Sequence, residues 1–226
     1  MRKPRTDGAP VAVVTGGAKR LGRHLCEVLA ARGYRIVVIY RASADDAESL
    51  ATEIGEGGGT ARALQADIGV AAQVHEAFDN IAEHEGRVDL LINNVGNYNP
   101  QDVTLLDPAV WDATLAANLS GAYYCCFHAI TLMPNGGQII SIGMAGLEGI
   151  RANRRGADYY VSKTGLLVLT RALASGYATR QIRVNMVSPG HLFEALGFRY
   201  FGPVDGHDVG QVLEALESIK KLDGVV

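Results

Sequence analysis

Tyr159 and Lys163 stand four residues apart in YYVSK, within a stretch of helical spacing, so their side chains share one face. A free phenol has a pKa of about 10, too high for ready proton exchange near neutrality, and a neighbouring ammonium lowers it. Such a pair is common on ordinary helices, so its meaning depends on its surroundings. One surrounding is TGGAKRLG (15–22), which follows a β-branched run and opens a helix. Glycines here let the backbone approach a pyrophosphate, whose charge the free N–H groups and the helix dipole favour. A plain tight turn between strand and helix is the competing reading. At the end of the second strand, where a carboxylate would bind the 2′-hydroxyl of NAD, stand Tyr40, Arg41 and then Ser43, while Lys19 and Arg20 lie in the glycine turn. Cations and a hydroxyl at these places suit the extra 2′-phosphate of NADP, which Arg can grip with two parallel hydrogen bonds. A merely solvated Arg41 is the alternative, and the missing carboxylate weighs against it.

The elements that must position these residues alternate along the chain. The runs 11–15, 35–40, 61–66, 88–93, 138–142 and 182–187 read as strands, with helices predicted near 21–32, 44–54, 70–85, 107–131 and 159–179. Strands apolar on both faces suit a parallel sheet covered on both sides, and strand–helix alternation reads as βαβ units. The predicted fold is therefore α/β, a doubly wound (Rossmann) parallel sheet with helices on both faces. GEGGGT (55–60) reads as a helix stop and turn. Past Gly190 the pattern changes: a turn-rich stretch precedes a short strand at Phe198–Phe201, and the apolar residues Val209, Val212, Leu213, Leu216 and Ile219 predict a helix over 209–222. This organisation gives an N-terminal tail (1–10), a dinucleotide-binding domain (11–190) and an atypical C-terminal segment (191–226).

Composition narrows the function classes. The 226 residues are 48% apolar and 20% charged, which suits one folded domain and argues against disorder. A net charge of -3 argues against nucleic-acid binding. No run of about 18 apolar residues predicts a membrane span. The opening MRKPRTDGAP lacks the apolar core of a secretory signal. Three cysteines (Cys26, Cys125 and Cys126) are too few and wrongly spaced for a disulfide framework or a zinc site. A reduced, cytoplasmic protein without a metal is expected.

Taken in order, TGGAKRLG (15–22), Asp67 after the third strand, NNVG (93–96), Asn118 in ANLSG, YYVSK and SPG (188–190) resemble the short-chain dehydrogenase/reductase family over about residues 11–190. Arg20 in the glycine turn, followed by Tyr40–Arg41, is most similar to the pteridine-reductase branch. The resemblance implies NADP(H) as cofactor and a small-molecule carbonyl, imine or alcohol as substrate. It implies that Tyr159 donates a proton to the carbonyl oxygen as hydride arrives from the nicotinamide. Lys163 would also hold the nicotinamide ribose, and Asn118 would anchor a water relay toward Lys163. Asp67 would meet the adenine, with Ile68 beside it in the cofactor set. Asn94 and Gly96 would line the adenosine side, and Pro189 and Gly190 would border the nicotinamide. Gly16, Lys19, Arg20, Leu21, Gly22, Tyr40, Arg41 and Ser43, with Tyr159 and Lys163 themselves, complete that set. The family commonly forms dimers or tetramers through its long helices, so a homodimer is expected, with the tetramer left open.

Three features depart from the family pattern. Aligned on its MAG end, IISIGMAG (139–146) places Gly143 where the family has a substrate-binding serine. Ser141 lies two residues earlier, on the same face but about 6–7 Å deeper along a strand. It is either the catalytic hydroxyl or a structural one. The loop 147–158 carries Arg151, Arg154 and Arg155 beside the family's substrate pocket, which fits either an acidic substrate or a solvated basic loop. Finally, 36 residues follow Gly190, in place of the family's substrate lid, last helix and seventh strand. GPVDGHD (202–208) within them, including His207, resembles the deoxyxylulose-phosphate synthases, which bind thiamine diphosphate. Two further readings follow: a dinucleotide-binding protein without turnover, and a fragment related to a thiamine-dependent synthase. Loss of the seventh strand would leave 182–187 as a sheet edge, which Phe198–Phe201 is expected to cover.

Overall fold

Strands with no polar face must be buried on both sides, and the sheet satisfies this by sitting between two helical layers. A computed structural model of the protein describes residues 8–134, 136–147 and 153–189. Its strands are β1 (Val11–Thr15), β2 (Arg35–Tyr40), β3 (Thr60–Gln65), β4 (Leu90–Asn93), β5 (Gln138–Ile142) and β6 (Arg183–Val187). They pair in parallel in the order β3-β2-β1-β4-β5-β6. The order reverses between β1 and β4, so a crevice opens beyond the carboxyl ends of these strands, the position at which open α/β sheets bind ligands.

The helices are α1 (Arg20–Ala31), α2 (Ala44–Glu56), α3 (Ala71–His84), α4 (Pro108–Leu115), α5 (Gly121–Leu132) and α6 (Ala157–Gly176). Val11, Val13, Ile139 and Val184 pack with α3, α5 and the far end of α6 on one face. Ala12, Val14, Val38, Ile140 and Ile142 pack with α1 and α2 on the other. Alternate strand residues thus serve opposite cores, and a residue's parity decides which helical layer it faces.

The sequence-predicted strands β1, β2 and β5 have the observed limits, whereas β3 starts one residue earlier and β4 two residues later than expected. The helix expected over 107–131 is interrupted: a π-helical turn, Ala116–Ser120, separates α4 from α5. The expected stop after α2 is present, with Gly57 capping the helix and Gly58 at φ +82°. Gly190, Arg151, the Phe198–Phe201 strand, the 209–222 helix and the GPVDGHD segment with His207 lie outside the described residues. Among the described residues, β6 is a sheet edge.

Candidate active site

At the carboxyl end of β1 the chain turns into α1 through Gly16, whose φ of +61° a side chain would strain. Gly22 packs directly against this turn, and a Cβ there would lie 2.2 Å from the Gly16 carbonyl oxygen. Asn94, one residue beyond β4, clamps the turn, its Nδ2 donating to the Thr15 and Gly16 carbonyls at 3.1 and 3.2 Å. The first turn of α1 has no side-chain cap, so its N–H groups remain available to an anion. Leu21 is half-buried beside it.

Two of the candidate cations stand beside carboxylates. Lys19 pairs with Asp46 of α2 at 2.9 Å, and Arg41 lies 3.6 Å from Asp67. The Arg41 side chain is 71% exposed and free to swing toward a ligand. Tyr40 packs on the α1/α2 core, Arg20 is exposed, and Ser43 precedes α2 without capping it through its hydroxyl. Asp67 Oδ1 accepts from the Gly69 N–H at 2.9 Å, while the Ile68 side chain is buried in the core. Asp67 is one-third exposed beside Arg41, and Ile68, its side chain buried, can offer only its backbone.

Tyr159 and Lys163 meet at the other end of the crevice. Lys163 is 2% exposed, and its Nζ donates to the Ile142 carbonyl, the last of β5, at 2.8 Å. The same Nζ lies 5.9 Å from the centre of the Tyr159 ring. A Cβ on Gly96 would stand 3.5 Å from it, so Gly96 borders the ammonium. Burial pushes the Lys163 ammonium down to about 8. It also pushes the Tyr159 phenol above its ordinary value, with smaller contributions from Tyr98 and Tyr160. The expected lowering of the phenol by the ammonium is therefore corrected: burial raises the phenol, and the ammonium's hydrogen bond goes to the Ile142 carbonyl.

Contacts between distant segments hold this pair in place. The π turn brings Asn118 inward, where it is 1% exposed. Its Oδ1 accepts from the Asn97 N–H at 2.7 Å, and its Nδ2 donates to the Asn97 carbonyl and to Ser162 Oγ. Thr114 of α4 donates to the fully buried Asp158 at 2.6 Å, fixing the first turn of α6 one residue before Tyr159. The Tyr98 ring meets Tyr159 edge-on at 4.8 Å. Sequence reasoning passed over Tyr98, Thr114 and Asp158. Only Asp158, an acidic residue in a helix first turn, left a readable signal.

The remaining candidates fall as follows. Ser141 is 2% exposed and accepts from Asn93 Nδ2 at 3.5 Å, beneath the strand end. Gly143 donates its N–H to the Val187 carbonyl at 2.8 Å. Arg154 is tied to Asp102 at 2.7 Å, and the strand-like bridge between Asp102 and Arg155 joins the two loops flanking the site. Pro189 follows β6 at the same rim.

A family model described as short chain dehydrogenase matches residues 10–194. D-threitol dehydrogenase of Mycolicibacterium smegmatis is 33% identical over 195 residues, covering 86% of this chain and 74% of that protein. A blue fluorescent protein from a metagenomic library, solved with NADPH, is 33% identical with a TM-score of 0.76, over 80% of this chain and 74% of its own. A short-chain dehydrogenase from Burkholderia cenocepacia, solved with NADP, is 27% identical with a TM-score of 0.80, over 92% and 89% of the two chains.

Proposed function

The chain belongs to the short-chain dehydrogenase family, and within that family of oxidoreductases we propose that it uses NADP(H) to interconvert a small-molecule carbonyl or imine with the corresponding alcohol or amine. The observation that carries this reading is the placement of Tyr159 and Lys163 at the carboxyl end of β5, facing the crevice whose far end holds Gly16, Lys19 and Arg41. The glycine turn fits a dinucleotide, because Gly16 and Gly22 let the turn pack closely on α1, whose first N–H groups carry no side-chain cap. When bound, the reduced nicotinamide supplies hydride to the substrate carbon.

This chain's own residues do the rest. The first turn of α1 receives the pyrophosphate, with Gly16, Arg20, Leu21 and Gly22 around it. Lys19, Arg41 and Ser43 meet the 2′-phosphate beside Tyr40. Asp67 and the Ile68 backbone border the adenine, and Asn94 holds the turn in shape. Pro189 borders the nicotinamide side, a place the family resemblance also gives to Gly190. The Tyr159 phenol, which burial raises above its ordinary value, is placed to donate its proton to the oxygen of a reduced carbonyl. The Lys163 ammonium, beside Gly96, holds the ribose and stabilises the phenolate left behind. Asn118 fixes the Asn97 backbone and Ser162 behind this pair, where it can anchor a water leading to Lys163. The likeness to pteridine reductases concerns the cofactor side and does not fix the substrate, and a cytoplasmic homodimer is the form proposed. Among the described residues no helix is long and apolar enough to cross a membrane.

The test pairs cofactor titration with turnover. NADPH should bind more tightly than NADH, and Arg41→Ala should weaken NADPH by about tenfold, the scale of one charge-assisted hydrogen bond, while sparing NADH. Tyr159→Phe should keep NADPH affinity within about twofold and lose about 10²–10⁴ in kcat on carbonyl substrates. Equal affinity for the two nucleotides overturns the cofactor choice. Tight NADPH binding with no turnover across a broad carbonyl panel favours a binding protein instead, the reading to which Gly143 lends weight.

A further inference from the structure

Gly143 leaves the site without the hydroxyl expected at the end of β5, yet the space its side chain would enter is filled. A Cβ built on Gly143 would lie 2.8 Å from Ser188 Oγ and 2.6 Å from Met186 Sδ. We propose that Ser188, on the neighbouring strand end, donates the substrate hydrogen bond that Gly143 cannot. This rests on the Tyr159–Lys163 reading above.

Register and parity both support the placement. β5 and β6 pair up to Ile142 with Val187, and the Gly143 N–H continues the ladder to the Val187 carbonyl. Gly143 and Ser188 are therefore the next pair in line, both just past their strands. On β6, Val184 faces the layer formed by Leu173 and Ala174 of α6 and by Tyr177 just past its end. Alternation puts Met186 and then Ser188 on that same face, as Ile139 does for Ser141 and Gly143. The depth is also right: the Lys163 ammonium bonds the Ile142 carbonyl, one residue before Gly143, so Ser188 stands level with the Tyr159–Lys163 pair. Ser141 has the same parity but lies a full dipeptide lower, 2% exposed and engaged by Asn93. Ser188 is half-exposed at the rim. A donor arriving from β6 reaches the carbonyl oxygen from the side of the last strand, so the substrate would sit rotated toward β6. In the reaction Ser188 keeps its own proton. The proton that forms the new O–H bond comes from Tyr159, and the hydride that forms the new C–H bond comes from the reduced cofactor.

The experiment compares the full-length wild type with Ser188→Ala, Ser141→Ala, Tyr159→Phe and the double variant Gly143→Ser/Ser188→Ala. Each is read by NADPH-dependent turnover on a carbonyl panel, by NADPH affinity from fluorescence and by thermal melting. Ser188→Ala should lower kcat/KM by about 10²–10³, the scale for loss of one positioned donor, with NADPH affinity and melting temperature held. Ser141→Ala should stay within about threefold of wild type. In the double variant the Oγ nearest the new side chain is gone and only the flexible Met186 thioether must move, so turnover should recover about tenfold or more over Ser188→Ala. A wild type whose turnover falls in Tyr159→Phe but not in Ser188→Ala overturns this inference and leaves the reductase reading intact. The same holds if Ser141→Ala takes the loss. A wild type that binds NADPH and turns over no carbonyl overturns both.

Discussion

A Cβ on Gly22 would meet backbone, 2.2 Å from the Gly16 carbonyl oxygen and 2.9 Å from Gly17 Cα, besides Asn94 Nδ2 at 2.7 Å, whereas the atoms nearest a Cβ on Gly143 belong to the Met186 and Ser188 side chains. The two glycines stand at opposite ends of one crevice. At the cofactor end the shape is set by main chain close in sequence, from β1 into α1, with Asn94 bonded to its carbonyls. At the substrate end the walls are side chains gathered from Tyr98, Asn118, Tyr159, Lys163 and Ser188. A backbone cradle has little room to vary, because its atoms cannot change type. A wall of side chains can be rebuilt one residue at a time, so the recognition of substrate can drift while that of the dinucleotide stays fixed.

The sharpest way to break this comparison is Gly22→Ala. The methyl has no rotamer that avoids the Gly16 carbonyl, so α1 must shift off the turn, at a cost of about 3 kcal/mol from overpacking. Urea unfolding should show that loss, and NADPH fluorescence should show binding weakened by more than tenfold. Near-wild-type values for both would mean that the cradle relaxes as easily as a side-chain wall.

A smaller effect separates the two ends by pH. Burial brings Lys163 from 10.5 down to about 8, so the folded state holds its proton less firmly than the unfolded chain does. Stability contributed by this site therefore rises as pH climbs from about 8 to above 10, and below pH 8 the buried ammonium costs up to about 3 kcal/mol. Lys163→Met should lose turnover yet melt at or above the wild-type temperature at pH 7 without cofactor. That advantage should shrink as pH rises toward 10. A variant less stable at pH 7 by an amount independent of pH would show that the bond to the Ile142 carbonyl outweighs desolvation.

How much of this was legible in the sequence follows the same division. β1, β2 and β5 could be bounded to the residue because burial on both faces makes each a short, mostly apolar run. The glycine turn could be located because it follows β1 directly in the chain, whereas the carboxylates beside Lys19 and Arg41, and the Asn94 that clamps the turn, come from distant segments. The break in 107–131 could not, since AANLS has no helix breaker and the π turn is stabilised by contacts of Asn118 with Asn97 and Ser162. Arg154 read as a candidate for an acidic substrate because its partner, Asp102, is 52 residues away in sequence. Ser188 drew notice only as part of SPG, since nothing local says that its hydroxyl fills the place of a side chain missing from another strand.

The smallest expected effect tests the substrate end on its own terms. Gly143→Ala adds a methyl against the Met186 thioether and the Ser188 hydroxyl, both able to rotate away. Gly143 is absent from the glycines held at positive φ, so alanine meets no backbone strain. Removing the conformational freedom of glycine from the unfolded chain contributes about 0.4–1 kcal/mol of stability, which offsets much of the crowding. The net change in unfolding free energy should stay within about 1 kcal/mol of wild type, against about 3 kcal/mol for Gly22→Ala. NADPH affinity should not move, because nothing at the glycine turn is touched. Turnover should fall several-fold, because a methyl in this space displaces the Ser188 hydroxyl from its position. If Gly143→Ala instead unfolds as readily as Gly22→Ala, the end of β5 is as rigid as the glycine turn, and the contrast between a fixed cradle and an adjustable wall is lost.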